Sequence, residues 1–268
     1  MPLPDPTPGT AALVTGASSG IGAELARGLA RRGHAVVLVA RRRGRLEALA
    51  EELSDEHGVA TTVISADLAD PGDRDAMVAL IDEKGLEISI LANNAGLGDF
   101  GPFAEADRER LLQMGRVNVE AVVDLTSRYL GPMVERGEGA VIMIASGAAH
   151  QPLPGFAAYA ATKAHVLALS EALHAEASAA GVTVTAVCPG PVHTEFGKSA
   201  GVGDAESGVP EPLWTESDQI AEAALEGADA GDRVVNPGLG IGVAATAGRF
   251  VPRAVLLPLV RTATRRFS

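Results

Sequence analysis

Short, unbroken apolar runs alternate along the chain with longer amphipathic ones. The runs 11–16 (AALVTG), 35–40 (AVVLVA), 59–67, 88–96, 139–146, 182–190 and 233–236 predict strands. The segments 21–33, 44–57, 72–84, 105–130, 156–180 and 215–230 predict helices. The strands lack the in–out alternation of a sheet with one wet face, as expected where helices cover both faces. A strand–helix order of this length predicts an α/β chain: a doubly wound, seven-stranded, mostly parallel sheet over residues 10–238. Residues 1–9, with proline at positions 2, 4, 6 and 8, predict a disordered tail, and 239–268 form a C-terminal extension. Ligands of such sheets bind beyond the carboxyl ends of the strands, so the residues that follow each strand carry the information.

Charge and composition narrow the partners. The net charge of −12 argues against nucleic acid. Residues 240–268 hold five Arg and no Asp, Glu or Lys, which leaves −17 on the rest of the chain. Cys188 is the only cysteine, so no internal disulfide can form, which fits a reducing, cytoplasmic setting. No apolar run reaches the roughly 18 residues of a membrane span, and the first residues lack the pattern of a signal peptide. His165, His174 and His193 have no metal-ligand spacing, and no metal is expected.

The first strand runs into Thr15-Gly16-Ala17-Ser18-Ser19-Gly20-Ile21-Gly22 and then a helix. Glycines there let the chain turn sharply and let a phosphate reach the backbone N–H groups at the positive end of the helix. About 20 residues on, an NAD site would place an acid after the second strand. Here Ala40 is followed by Arg41, Arg42, Arg43 and Arg45. Cations at a helix start oppose its dipole. A bound anion offsets that cost, and a 2′-phosphate is the expected one, with Arg41 and Arg42 nearest. NADP(H) is therefore expected over NAD(H).

Tyr159 and Lys163 stand four apart near the start of the predicted helix 156–180 and share a face. Such a pair is ordinarily a surface pair. Three features change this. Ser146 ends the preceding strand, Asn118 interrupts an otherwise apolar helix face, and a nearby ammonium is a physical means of bringing a phenol toward proton exchange at neutral pH.

The ordered set of motifs resembles the short-chain dehydrogenase/reductase family over about residues 8–236. It comprises the Thr15–Gly22 turn, Asp67-Leu68, Asn93-Asn94-Ala95-Gly96, Asn118, Ser146 thirteen residues before Tyr159, Tyr159-x-x-x-Lys163, and Pro189-Gly190 with Thr194. The resemblance implies a single Rossmann-like domain and a set of roles. Tyr159 would exchange the proton with the substrate oxygen, and Ser146 would hydrogen-bond that oxygen. Lys163 would lower the Tyr159 pKa and bind the nicotinamide ribose, while Asn118 would hold a relay water. Asp67 and Leu68 would border the adenine, and Asn93, Ala95 and Gly96 the adenosine ribose and central sheet. Pro189, Gly190, Val192 and Thr194 would line the nicotinamide. A homodimer or homotetramer is also implied. Thr162 and the segment Ile144–His150 depart mildly from the family pattern.

The implied activity interconverts a carbonyl and an alcohol. The loop at about 195–217 would close over the substrate. Phe196, Val209, Leu213 and Trp214 suggest an apolar pocket and a lipophilic ketone or aldehyde. A non-catalytic NADP(H) sensor or scaffold on the same fold is the alternative, but it would be free to lose Tyr159 or Lys163, and both are present. For the extension, two readings stay open. It makes weak contact with an anionic membrane surface, or it packs on the body or on a partner subunit.

Overall fold

The computed structural model describes residues 2–201, 210–238, 251 and 253–264. In chain order its elements are β1 (Thr10–Thr15), α1 (Gly20–Arg31), β2 (Ala35–Ala40), α2 (Arg43–His57), β3 (Thr61–Ser65), α3 (Pro71–Glu83) and β4 (Glu87–Asn93). Then come α4 (Arg108–Gly115), α5 (Ala121–Arg136), β5 (Gly139–Ile144), α6 (Ala157–Ala177) and β6 (Val182–Val187). The last are α7 (Phe196–Ser199), α8 (Ser217–Ala230), β7 (Val234–Val235) and α9 (Arg253–Thr264). The sheet order is β3-β2-β1-β4-β5-β6-β7, and every pairing is parallel. The order reverses between β1 and β4, which opens a crevice at the carboxyl ends of the strands.

Both faces of the sheet are covered. Ala12 and Val14 of β1 pack into one core with Leu25, Leu29, Leu46, Leu53 and Leu225, while Ala11 and Leu13 pack into the other with Met77, Ile81, Leu125 and Val166. Fully burying a Leu or Ile side chain contributes roughly 1.5–3 kcal/mol, so each core has ample material. Local chemistry sets the helix ends. Asp70 accepts from Gly72 N ahead of Pro71, and Asp107 accepts from Glu109 N and Arg110 N. Gly58, Gly137 and Gly231 close α2, α5 and α8 in the left-handed region.

Two segments differ from the sequence expectation. The helix expected over 105–130 is two helices joined by a π-helical turn, Arg116–Glu120, and α5 runs on through Pro132 to Arg136. A π turn rotates the side chains that follow it, and this one carries Asn118 inward, where it is fully buried. At the N-terminus, where disorder was expected, Leu3 is buried and its N–H donates to Asp229 Oδ1 at 3.0 Å. Pro4 is buried beside it, and these side chains with the bond to α8 dock the proline-rich segment, whose prolines lose little entropy on ordering. Val209 and most of the extension lie outside the described residues. Among the described residues no helix is long and apolar enough to cross a membrane.

Candidate active site

The glycine turn is built for an anion. Gly16 (φ +67°) and Gly20 (φ +54°) occupy the left-handed region that favours glycine. The first turn of α1 holds no acid, and Ser19 at its N-cap position forms no side-chain capping bond. The backbone N–H groups there are thus left for a ligand. The buried Thr15 hydroxyl holds the turn against β4: it donates to Ala92 O at 3.1 Å and accepts from Asn94 N and Ala95 N at 3.0 Å each. Asn94 Nδ2 adds a bond to Thr15 O at 2.8 Å.

The crevice is a cleft of about 650 Å³. Of the residues singled out in the sequence, it is lined by Gly16, Ser18 to Ile21, Arg41, Arg42, Asp67, Leu68, Ala95, Gly96, Ser146, Tyr159, Lys163, Pro189, Gly190, Val192 and Thr194. Three others stand behind the wall. Gly22 packs under the turn, and Asn118 braces the wall from within. Asn93 is directed away from the cleft and donates to Thr126 Oγ1 on α5 at 2.9 Å; the cleft residue is its neighbour Asn94. The swap follows from strand alternation: β4 ends at Asn93, so successive side chains there point to opposite sides.

Asn118 uses its amide on protein partners. Its Oδ1 accepts from Leu97 N at 2.8 Å, and its Nδ2 donates to Leu97 O at 2.9 Å and Thr162 Oγ1 at 3.0 Å. Thr162 in turn donates to Tyr159 O at 2.8 Å. The π turn, the segment after β4 and the start of α6 are therefore one hydrogen-bonded unit.

Ser146 lies just past β5 and caps the short turn Gly147–His150, its Oγ accepting from Ala148 N at 3.1 Å. Tyr159 is half-buried and hydrogen-bonds Ser146. Burial pushes its phenol up to about 12, and the Ser146 bond acts the other way. Lys163 is buried, and its Nζ donates to Ile144 O at 2.7 Å. Burial lowers it to about 8, so it remains mostly cationic at neutral pH. Its Nζ stands 6.0 Å from the Tyr159 ring centre rather than bonded to the phenol. In the protein as it stands, burial and Ser146, not the ammonium, set the phenol. A Cβ on Gly96 would lie 3.4 Å from that Nζ, so the lysine head borders the cleft floor.

The cleft has two chemically distinct ends. Toward α2, Arg42 donates to Ser18 Oγ (2.9 and 3.1 Å) and Ser19 Oγ (2.5 Å) and pairs with Glu195 at 2.6 Å. The Arg41 side chain makes no hydrogen bond or ion pair among the described residues. A 2′-phosphate suits this end: an unpaired guanidinium, serine hydroxyls and free helix N–H groups converge there, with no acid at the end of β2. Beyond Tyr159 the wall is aromatic. Phe100, Phe156, Tyr159 and Phe196 form a chain of tilted contacts with centroids 4.7, 5.7 and 5.5 Å apart. Leu153 and Trp214 complete the wall, with His150 and Gln151 as polar members. His150 Nε2 lies 3.2 Å from Asn236 Oδ1. Leu97, Leu153, Phe156 and Glu195 went unremarked in the sequence; only Glu195, next to Thr194, carried a positional hint.

The chain is similar to proteins of known kind. The family model for short chain dehydrogenases matches residues 10–204. A very-long-chain 3-oxoacyl-CoA reductase of Anas platyrhynchos is 37% identical over 196 residues, covering 71% of this chain and 62% of that protein. A short-chain dehydrogenase from Sphingobium yanoikuyae, solved in complex with NADPH, is 38% identical with a TM-score of 0.80, over 91% of this chain and 97% of that one. A bulky-bulky ketone specific alcohol dehydrogenase from Comamonas testosteroni is 32% identical with a TM-score of 0.74, over 96% and 93%. A family model over most of the chain and solved structures that share the fold at more than 30% identity place it: the chain belongs to the short-chain dehydrogenase/reductase family of oxidoreductases.

Proposed function

We propose that this protein is an NADP(H)-dependent oxidoreductase that interconverts a lipophilic ketone or aldehyde and the corresponding alcohol. One observation carries the reading: the Tyr159 phenol, beside Ser146, stands where a basic pocket with no acid at the end of β2 meets an aromatic wall. The likeness to the NADPH-bound Sphingobium yanoikuyae protein and to the Comamonas testosteroni ketone enzyme supports it.

The nicotinamide cofactor, when bound, supplies the hydride for the carbonyl carbon or accepts it from the alcohol. The chain supplies the rest. Tyr159, a neutral phenol at pH 7 with its pKa pushed to about 12, donates its proton to the substrate oxygen during reduction. Ser146 Oγ hydrogen-bonds that oxygen and holds it in line. Lys163 keeps a cation at the floor of the cleft beside Gly96, while Asn118 and Thr162 fix the start of α6 and so the phenol. Phe156, Phe196, Leu153 and Trp214 exclude water from the reacting atoms and bind an apolar substituent.

A panel of ketones, aldehydes, hydroxysteroids and 3-oxoacyl thioesters, followed by NADPH absorbance, tests this reading. Bulky apolar carbonyls are expected to lead, with NADPH favoured over NADH by about tenfold or more, as expected of charge-assisted phosphate recognition. Comparable efficiency with both cofactors, or preference for small charged substrates, would overturn it.

The C-terminal extension adds a second, weaker contact. Val255 and Leu257 on α9 are exposed, and residues 240–268 carry five Arg and no acid. Surfaces of that kind bind anionic bilayers. Vesicles containing phosphatidylglycerol are expected to co-sediment the full chain more than vesicles of phosphatidylcholine alone. Removal of 240–268 should abolish the difference; unchanged sedimentation would assign the extension to the body or to a partner subunit.

A further inference from the structure

Glu195 stands between the cofactor wall and the substrate wall, directly after Thr194 and directly before Phe196. Among the described residues it is the only acid lining the cleft besides Asp67. Its carboxylate engages two guanidiniums from the segment after β2. Arg42 Nη1 lies 2.6 Å from Oε2, and Arg45 binds both oxygens at 2.8–3.0 Å. Those arginines hold Glu195 below the usual carboxylate range, so it is charged throughout the neutral region. Arg42 also donates to Ser18 and Ser19 on the glycine turn. One side chain thus spans the turn and the acid, while Arg41 beside it has no such commitment among the described residues.

We propose that Glu195 is a specificity-determining residue that tempers the preference for a 2′-phosphorylated cofactor; the inference rests on the NADP(H) reading above. A phosphomonoester carries a charge of about −1.5 to −2 at neutral pH and needs more than one guanidinium to be matched. Arg41 supplies one. Arg42, the next nearest, is shared with a carboxylate that repels the incoming phosphate and competes for the same N–H donors. Arg45 keeps Glu195 close by, through a bidentate pair that does not depend on Arg42. Removing the negative charge therefore frees Arg42 for the phosphate and removes the repulsion. A cofactor without the 2′-phosphate gains little from either change.

Isothermal titration of Glu195→Gln with adenosine 2′,5′-bisphosphate and with 5′-AMP tests this, using ligands that report on this end of the cleft without any turnover. The bisphosphate is expected to bind roughly three- to tenfold more tightly than to the parent at low ionic strength, with 5′-AMP changed by less than about twofold. The gain should shrink at about 1 M NaCl, and Glu195→Asp, which keeps the charge, should not show it. An unchanged ratio of the two affinities, or weaker bisphosphate binding in Glu195→Gln, would show that Glu195 merely positions Arg42 and would overturn the proposal. If the parent protein itself fails to prefer the bisphosphate, the NADP(H) reading falls, and the inference with it. An inactive substrate panel would leave this measurement unaffected.

Discussion

Tyr159→Phe is expected to lower kcat by about 10³-fold or more while leaving the Kd for NADPH within about threefold of the parent, because only the transferred proton is lost. The ring itself stays: Phe keeps the tilted contacts with Phe156 and Phe196, so the wall and the fold are preserved. Direction matters too. Reduction needs the neutral phenol, which burial favours by raising its pKa to about 12. Oxidation of the alcohol needs the phenolate, so its kcat/KM is expected to climb with pH through the neutral and mildly alkaline range, and the Phe variant should lose that climb. Rate measurements in both directions across pH decide it. Substantial turnover by the Phe variant, or a flat oxidation profile in the parent, would remove Tyr159 from the proton-transfer step.

Gly22→Ala carries the largest expected effect on stability. Alanine in a helix ordinarily gains about 1 kcal/mol over glycine. Here the sign reverses. A Cβ at position 22 would sit well inside van der Waals contact with Gly16 O and Asn94 Nδ2. Asn94 cannot yield freely, because its amide ties β4 to Thr15 O. The substitution is expected to cost about 1–3 kcal/mol, to lower Tm by about 3–10 °C and to weaken NADPH binding by misplacing the turn. Thermal unfolding and NADPH titration check both parts. A Tm at or above that of the parent would mean that the turn has room the close approach denies.

These two positions differ in how much the sequence revealed of them. The strand–helix order was legible because parallel strands buried on both faces are mainly apolar, as β2 (AVVLVA) and β5 (GAVIMI) are, although Ser89 of β4 and Thr183 and Thr185 of β6 are buried polar exceptions. Ser146 at a strand end, and Tyr159 with Lys163 one helical turn apart, were legible for the same reason: local geometry dictates which side such residues take. Asn93 and Asn94 were not separable, since their facing depends on the residue at which β4 ends. The π turn that buries Asn118 was hidden as well, because α4 (RERLLQMG) is too short and too polar for the phase shift of a one-residue insertion to show in the hydrophobic pattern.

By itself, the sequence determined the order of elements, the acid-free end of β2 and the placing of Tyr159 and Lys163 on one face of a helix, since all three rest on neighbours within a few residues. Tertiary structure alone decided that Lys163 spends its ammonium on Ile144 O, that Leu3 docks the N-terminal segment on Asp229, and that Arg42 and Arg45 meet Glu195 some 150 residues away. Contacts of that range leave no periodic trace in a chain. They arise where the parallel sheet, by stacking its carboxyl ends side by side, brings distant loops to one crevice.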